Sequence, residues 1–503
     1  MLAGRLRNRR LIRIAGPLLV TVVLLGVAEV ALRVAGYRGA ADAGGDPQVN
    51  SLPLFQPATG PDGSARLQRR DAPISFLRDK PRNGYRVFVV GESSAFGFPF
   101  GPEFAFSRFL QERLAAAMPS RTVEVVNAAI SGIGSWQVRG VVDEIARYSP
   151  DVLVVYMGHN ELTRSGPATL GAFARVAAQT RLYQLAAVAG HAVRRWRGGP
   201  IDVEQMRSHD DPFSAIHDRA RGASTPSLRE RERMLVRFAD NLHAIVTTAQ
   251  AAGAKVILAE LAQNLRDYPP GASRHRRGLS ADQRQRWRAA VEDADARLRA
   301  GECPAALADL RAAMRIDARP AILHYLRGRC LEALGRFASA RAAYRAASDH
   351  DQIPLGAPSA LNRVIQQVAA ETGAQFLPVV GPLMRSSPHG LLGDQLFYDS
   401  IHPTVAGHAA IARIVATALG APDSAPDGTE VAALLAAHPD IQDQIYRTNT
   451  VFYLNMGWHE RALAEITEAG KHYPDLIPLL AKVEEVVGRD PVPSWADIPD
   501  ESE

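Results

Sequence analysis

Along this chain of 503 residues the apolar positions fall into three patterns. The first is a single long run near the N-terminus. Residues 14–28 hold no charge, and apolar character continues to Val34 with only Glu29 and Arg33 interrupting. At ~1.5 Å per residue, a helix of this length covers most of a bilayer core. The second pattern is a set of short apolar runs without polar alternation, at 87–90, 123–126, 152–157, 256–261 and 376–380. Such runs suit strands buried on both faces of a parallel sheet. Ahead of the fourth run, Met234, Leu235, Phe238, Leu242, Ile245, Val246 and Ala249 recur at helical spacing, which predicts an amphipathic helix and a β-α-β unit. The class expected is α/β with a doubly wound, mainly parallel sheet, whose active residues lie at the carboxyl ends of strands.

The third pattern interrupts the second. Between Pro270 and Pro354 the sequence is alanine- and arginine-rich with an internal period of 34 residues: Gly301, Ala306, Ala313, Asp317 and Pro320 recur as Gly335, Ala340, Ala347, Asp351 and Pro354. This period, with Gly328 and Tyr344 fitting as well, resembles tetratricopeptide repeats; the plain alternative is an alanine-rich helical hairpin. Gly457, Ala462 and Ala469 keep the same spacing and suggest a further copy. Two or three copies are few for an independent solenoid, so they are expected to lean on the α/β domain, and repeats of this kind suggest a protein partner. The organisation expected is a leader at 1–13, a transmembrane signal anchor at 14–34, a tether at 35–85 and an α/β domain in two parts, 86–270 and 356–420. A helical insertion at 271–355 separates those parts, and a helical repeat-like segment with an acidic tail follows at 421–503.

Charge adds a direction to the first pattern. Five arginines precede the apolar run and the first Asp beyond it is Asp42, so the positive-inside rule puts the N-terminus in the cytoplasm and everything after Tyr37 on the periplasmic or extracellular side. A cleaved signal peptide is the alternative, with Gly39-Ala40-Ala41 as a cleavage site, although the run exceeds a usual h-region of roughly 7–15 residues. Overall, 58 Lys+Arg face 53 Asp+Glu, a balance near neutral once the leader is set aside. Outside short arginine-rich helices such as 194–197 there is no basic stripe with interleaved aromatics, so a nucleic-acid partner is not expected. Two cysteines, Cys303 and Cys330, are too few for a disulfide framework or a cysteine zinc site. The 34-residue register brings them near each other, leaving one disulfide and two buried free thiols as open readings.

The chemistry sits where the strands end. The run at 87–90 leads into Gly91-Glu92-Ser93-Ser94, so Ser93 falls on a strand-to-helix turn that exposes its hydroxyl and offers a backbone N–H. The run at 123–126 leads into Asn127-Ala128-Ala129-Ile130-Ser131-Gly132, and the run at 152–157 into Gly158-His159-Asn160-Glu161. A glycine N–H and an asparagine amide are suitable donors to an oxyanion. After the last run comes Asp399-Ser400-Ile401-His402-Pro403, in which a carboxylate three residues before an imidazole can fix the ring's tautomer for deprotonating a serine. Each segment alone reads as an ordinary turn.

Together, in this order, the four segments resemble the SGNH/GDSL hydrolases, over roughly 86–266 plus 375–419. The resemblance implies a three-layer, flavodoxin-like fold. It also implies Ser93 as nucleophile, His402 as base, Asp399 as the orienting acid, and Ser93, Gly132 and Asn160 as oxyanion donors. Glu92 and Glu161 depart from the family's usual aspartates, which leaves loop geometry and substrate preference open. Ser94 lies one residue beyond the motif position and is expected to pack locally. His159 is expected to line the pocket, with Glu161 and Arg266 as further substrate-binding candidates; Arg266 reads equally as an ion pair stapling its loop. His408 reads as a helix residue. No metal spacing is completed by His159, His402 and His408, and no cofactor is expected. The function expected is a membrane-anchored esterase acting on an acyl ester, such as O-acetyl groups of an envelope glycan or glycolipid. An O-acyltransferase using the same triad and a non-catalytic envelope interaction protein remain as alternatives.

Overall fold

The computed structural model describes residues 26–32, 53–162, 226–423 apart from Leu355, and parts of 427–484. Most of the expected anchor lies outside the described residues; 26–32 are helical, and no described helix is long and apolar enough to cross a membrane.

Two sheets organise the chain. The first is antiparallel and built from β1 (Phe55–Thr59), β2 (Ala65–Arg69) and β3 (Ser75–Leu77). The second is wholly parallel: β4 (Gly84–Gly91), β5 (Thr122–Asn127), β6 (Val152–Tyr156), β7 (Lys255–Ala259) and β8 (Gln375–Leu377), in the spatial order β5-β4-β6-β7-β8. This is the doubly wound, flavodoxin-like order, and its switch point falls between β4 and β6. The helices that follow the first three of these strands are α1 (Ser93–Phe96), α2 (Phe106–Ala117), α3 (Ser135–Ile145) and α4 (Leu228–Ala251). α4 buries Phe238, Leu242, Ile245, Val246 and Ala249, five of the seven positions of the predicted stripe, and Ser227 caps it through a bond accepted from the Glu230 N–H.

Between β7 and β8 the chain leaves the sheet for α5 (Ala281–Arg299), α6 (Cys303–Ile316), α7 (Ala321–Ala333) and α8 (Phe337–His350), and returns through α9 (Ser359–Thr372). The 34-residue register has a structural meaning here. Gly301 and Gly335 occupy equivalent inter-helix turns with φ of +79° and +70°, values that favour glycine. Asp317 and Asp351 close α6 and α8 and grip one passing segment: Asp351 accepts the N–H groups of Gly271 and Ala272, and Asp317 that of Arg276. Cys303 and Cys330 are both buried free thiols. Burial, reinforced by the neighbouring Cys303 thiol, pushes the Cys330 thiol up to about 12. After β8 come α10 (Val380–Ser386), α11 (Val405–Ala418), α12 (Asp427–Ala437) and α13 (His459–His472). α11 packs on α2, while α3 and α9 pack on α4.

Two expectations are corrected. The tether expected at 35–85 is folded from Leu54 onward: Phe55 and Phe76 are buried against Phe88 of β4 and the ring of Tyr148. Glu144 of α3 accepts the N–H groups of Leu54 and Phe55 at 2.7 and 2.9 Å, and buried Arg69 donates to the Asn127 and Ala129 carbonyls at 2.9 and 2.8 Å. The strand expected at 376–380 stops at Leu377, because Pro378 supplies no N–H for a ladder; Val380 begins α10.

Candidate active site

The carboxyl ends of β4, β5 and β6 converge at the switch point. A Cβ on Gly91 would lie 2.1 Å from the Tyr156 carbonyl oxygen, so only glycine permits the ends of β4 and β6 to come this close. Ser93 then opens α1, where a helix start presents N–H groups without intrahelical partners. Glu92, the departure from the usual aspartate, reaches sideways: its Oε1 accepts the Gly158 N–H at 3.2 Å and its Oε2 the Asn160 N–H at 3.1 Å. Asn160 Nδ2 in turn donates to the Ile133 carbonyl at 2.8 Å, next to Gly132. The three loops that carry Ser93, Gly132 and Asn160 are thus tied to one another by hydrogen bonds.

The fourth loop arrives from a distance of 309 residues in sequence. It is a narrow loop closed by the Phe397–Pro403 bridge and by the Tyr398 N–H donating to the His402 carbonyl at 2.9 Å. Asp399 Oδ1 accepts the N–H groups of Ile401 and His402 at 2.8 and 2.7 Å, which aims Oδ2 at the ring; Oδ2 to His402 Nδ1 is 2.6 Å. His402 Nε2 lies 2.7 Å from Ser93 Oγ. Burial opposes the charge on Asp399, but the His402 ring and the two N–H donors outweigh it and hold the carboxyl below the usual carboxylate range. An ionised Asp399 fixes the proton on Nδ1 and leaves Nε2 as the acceptor that faces the serine hydroxyl. All three side chains are buried, Ser93 being 8% exposed.

The other candidates separate. Ser94 Oγ is buried with no hydrogen-bond partner, whereas Ser93 Oγ meets His402. His159 is buried with neither ring nitrogen hydrogen-bonded; burial, helped by the positive charge His402 can carry, pushes it down to about 3, so it is neutral. His408 lies in α11, and its Nδ1 accepts the Phe106 N–H at 3.2 Å. Glu161 turns from the pocket to the start of α3, accepting the Ser135 N–H at 2.6 Å and hydroxyl at 3.0 Å. Arg266 is a staple: its Nε is 2.7 Å from Glu332 of α7 and its Nη1 3.7 Å from Asp267. Among the described residues no group of three His, Cys, Asp or Glu side chains could hold a metal ion. Phe98, not singled out in the sequence, lies with its ring centroid 4.7 Å from that of His402.

Residues 89–326 match the GDSL-like Lipase/Acylhydrolase family. The match ends before Asp399 and His402, which only the folded geometry joins to it. No curated protein matches the chain. Among solved structures, the acetylxylan esterase Axe2 from Geobacillus stearothermophilus is similar at 14% identity and a TM-score of 0.32, over 69% of this chain and 99% of its own. The lipase/acylhydrolase from Enterococcus faecalis is similar at 11% identity and a TM-score of 0.30, over 67% of this chain and 95% of its own. With the parallel sheet and the family match, residues 89–326 belong to a GDSL-like lipase/acylhydrolase domain, and the protein is an enzyme that hydrolyses esters.

Proposed function

We propose that this protein is a membrane-anchored serine esterase that works outside the cytoplasmic membrane through Ser93, His402 and Asp399. Ser93 Oγ attacks the acyl carbonyl while its proton passes to His402 Nε2, and the N–H groups of Ser93 and Gly132 with the Asn160 amide receive the oxyanion. Collapse breaks the ester C–O bond, and His402 returns its proton to the leaving alcohol. Water then attacks the acyl-Ser93 ester, again deprotonated by His402, and releases the carboxylic acid. The observation that supports this reading is the unbroken pair of contacts, 2.6 Å from Asp399 to His402 and 2.7 Å from His402 to Ser93. The five arginines ahead of the run at 14–34 support the anchor and the outward-facing domain, and that location favours an acyl ester of an envelope glycan or glycolipid.

The test is intact-mass analysis after treatment with a fluorophosphonate, alongside hydrolysis of a short-chain aryl ester. One covalent adduct is expected on Ser93; Ser93→Ala loses both adduct and activity, and Ser94→Ala keeps most of each. Equal loss in the two variants would overturn the assignment.

A further inference from the structure

The loop that carries Asp399 and His402 is anchored at its base. Leu396 and Thr404 close it, the Thr404 N–H donating to the Leu396 carbonyl at 2.8 Å, and two residues earlier Asp394 holds it to the rest of the domain. The Asp394 N–H donates to Asp267 Oδ2 at 3.0 Å, and Asp394 Oδ1 accepts from Asn264 Nδ2 at 2.8 Å. Asn264 is buried, and its own N–H donates to the carbonyl of Ser400 at 2.8 Å, inside the catalytic loop itself. Asp394 thus sits at the junction between the sheet-side segment that follows β7 and the loop that delivers the imidazole.

The cation bound to the Asp394 carboxylate comes from neither. Arg461, in the first turn of α13, donates through Nη2 to Asp394 Oδ2 and through Nη1 to the Asp267 carbonyl, with its guanidinium 4.4 Å from the centroid of the Tyr453 ring. A guanidinium can span a carboxylate and a carbonyl at once, which a single ammonium does less well. Around it, Tyr453, Ala462, Ile466 and Ala469 form a buried cluster with Tyr268, and Phe98 packs on that same cluster while its ring faces His402. The C-terminal helical segment therefore meets the catalytic loop directly at its base, by charge, and also backs Phe98, whose ring lies over the loop's histidine.

We propose that Arg461 is a positioning residue for the triad, holding the base of the 394–404 loop through Asp394 so that His402 Nε2 stays within reach of Ser93, and that the C-terminal segment is an integral wall of the active site. The inference rests on the Ser93–His402–Asp399 reading above. Burial pushes the Asp394 carboxyl up to about 6 even with Arg461 beside it, so an anion at this spot depends on that cation. Without Arg461 the loop keeps its internal bridge but loses one of its ties to the domain, and the distance most exposed to that loss is the one between His402 and Ser93.

The full chain is compared as wild type, Arg461→Lys and Arg461→Ala, measuring kcat and KM on a short-chain aryl ester, the rate of fluorophosphonate adduct formation on Ser93, and thermal unfolding. A displacement of the base by about an ångström is expected to lower kcat and the adduct rate about tenfold or more in Arg461→Ala, with KM little changed and Arg461→Lys in between. Wild-type kcat and adduct rate in Arg461→Ala would overturn the proposal. If that variant unfolds, Asp394→Asn, which leaves α13 untouched, takes its place: a fall in kcat at constant KM supports the proposal and an unchanged kcat overturns it. A wild-type chain that takes no adduct on Ser93 overturns the triad reading and this proposal with it, whereas a labelled wild type beside an equally labelled Arg461→Ala overturns this proposal alone.

Discussion

Replacing Arg69 by methionine tests whether the small antiparallel sheet ahead of the parallel one belongs to the enzyme or merely precedes it. Arg69 is 1% exposed, and its Nη1 donates to the Asn127 and Ala129 carbonyls while its Nε and Nη2 grip Asp71 at 2.6 and 3.0 Å. Methionine keeps an apolar stem of similar length against Phe96, whose ring centroid lies 5.2 Å from the guanidinium carbon, so packing is largely conserved and the polar contacts are what is removed. Hydrogen bonds from a charged donor contribute about 1.5–3 kcal/mol each, and the two carbonyls are left in a buried place without that donor, so Arg69→Met is expected to cost about 3–6 kcal/mol. Asp71 adds little to this loss, since its carboxylate is 40% exposed and regains water. Urea unfolding followed by circular dichroism measures the difference. The same variant is expected to slow adduct formation on Ser93, because Ala129 lies three residues before Gly132. A loss under about 1 kcal/mol together with unchanged adduct formation would refute the reasoning and return the segment to the role of a tether.

Two further outcomes follow from buried groups. Burial pushes the Glu161 carboxyl up from 4.5 to about 7 against the pull of the Ser135 N–H and hydroxyl, so its neutral form stabilises the fold fully below pH 4.5 and that contribution is lost as pH rises through about 7. Glu161→Gln is therefore expected to gain on the wild type by about 3 kcal/mol between pH 5 and 8 in denaturant titrations, and a constant difference across that range would contradict the assignment. Cys303 and Cys330, buried and unpaired, are expected to resist alkylation in the native chain and to take two adducts in denaturant without reductant; adducts that appear only after reduction would show a disulfide instead.

What was legible in the sequence shares one property: the residues lie close together in the chain or obey a period. Strands β4 and β6 are buried on both faces and read as unbroken apolar runs over 87–90 and 152–157, while the edge strand β5 is only partly buried over its first four residues and its valines flank Glu124; each of the residues Ser93, Gly132 and Asn160 follows its run by a few positions. Asp399 and His402 are three apart on one loop. The sheet β1–β3 was missed because its strands are short and only partly buried, with Phe55, Leu67 and Phe76 as isolated apolar anchors. A signal was present: Gly60-Pro61-Asp62-Gly63 is turn chemistry between two strand-like stretches. Arg69, Glu144 and Arg461 could not be read at all. Their roles are set by groups distant in sequence: the Asn127 carbonyl 58 residues from Arg69, the Leu54 N–H 90 residues from Glu144 and the Asp394 carboxylate 67 residues from Arg461.

The proposed triad is the hardest case, since its serine and histidine are 309 residues apart and four helices intervene between β7 and α9. The sheet tolerates this insertion because its neck is closed. Asn362 of α9 accepts the Leu261 N–H through Oδ1 and donates from Nδ2 to the Leu261 carbonyl, both at 2.9 Å, so the chain returns to the position from which it left. The entropy of closing a loop grows only logarithmically with its length, and helices that bury their own core around Trp287, Leu310 and Tyr344 add order of their own instead of a long disordered excursion. The place of departure is the carboxyl end of β7, on the same edge of the sheet as Ser93. An insertion there leaves strand order and the switch point intact, yet ends beside the catalytic loop, where Glu332 of α7 pairs with Arg266 and Tyr325 donates to the Arg266 carbonyl at 3.1 Å. The same edge that makes the chemistry available makes it available to added helices. The walls of the proposed site can therefore be rebuilt by sequence far from Ser93 and His402, while the strands that position Ser93, Gly132 and Asn160 stay as they are.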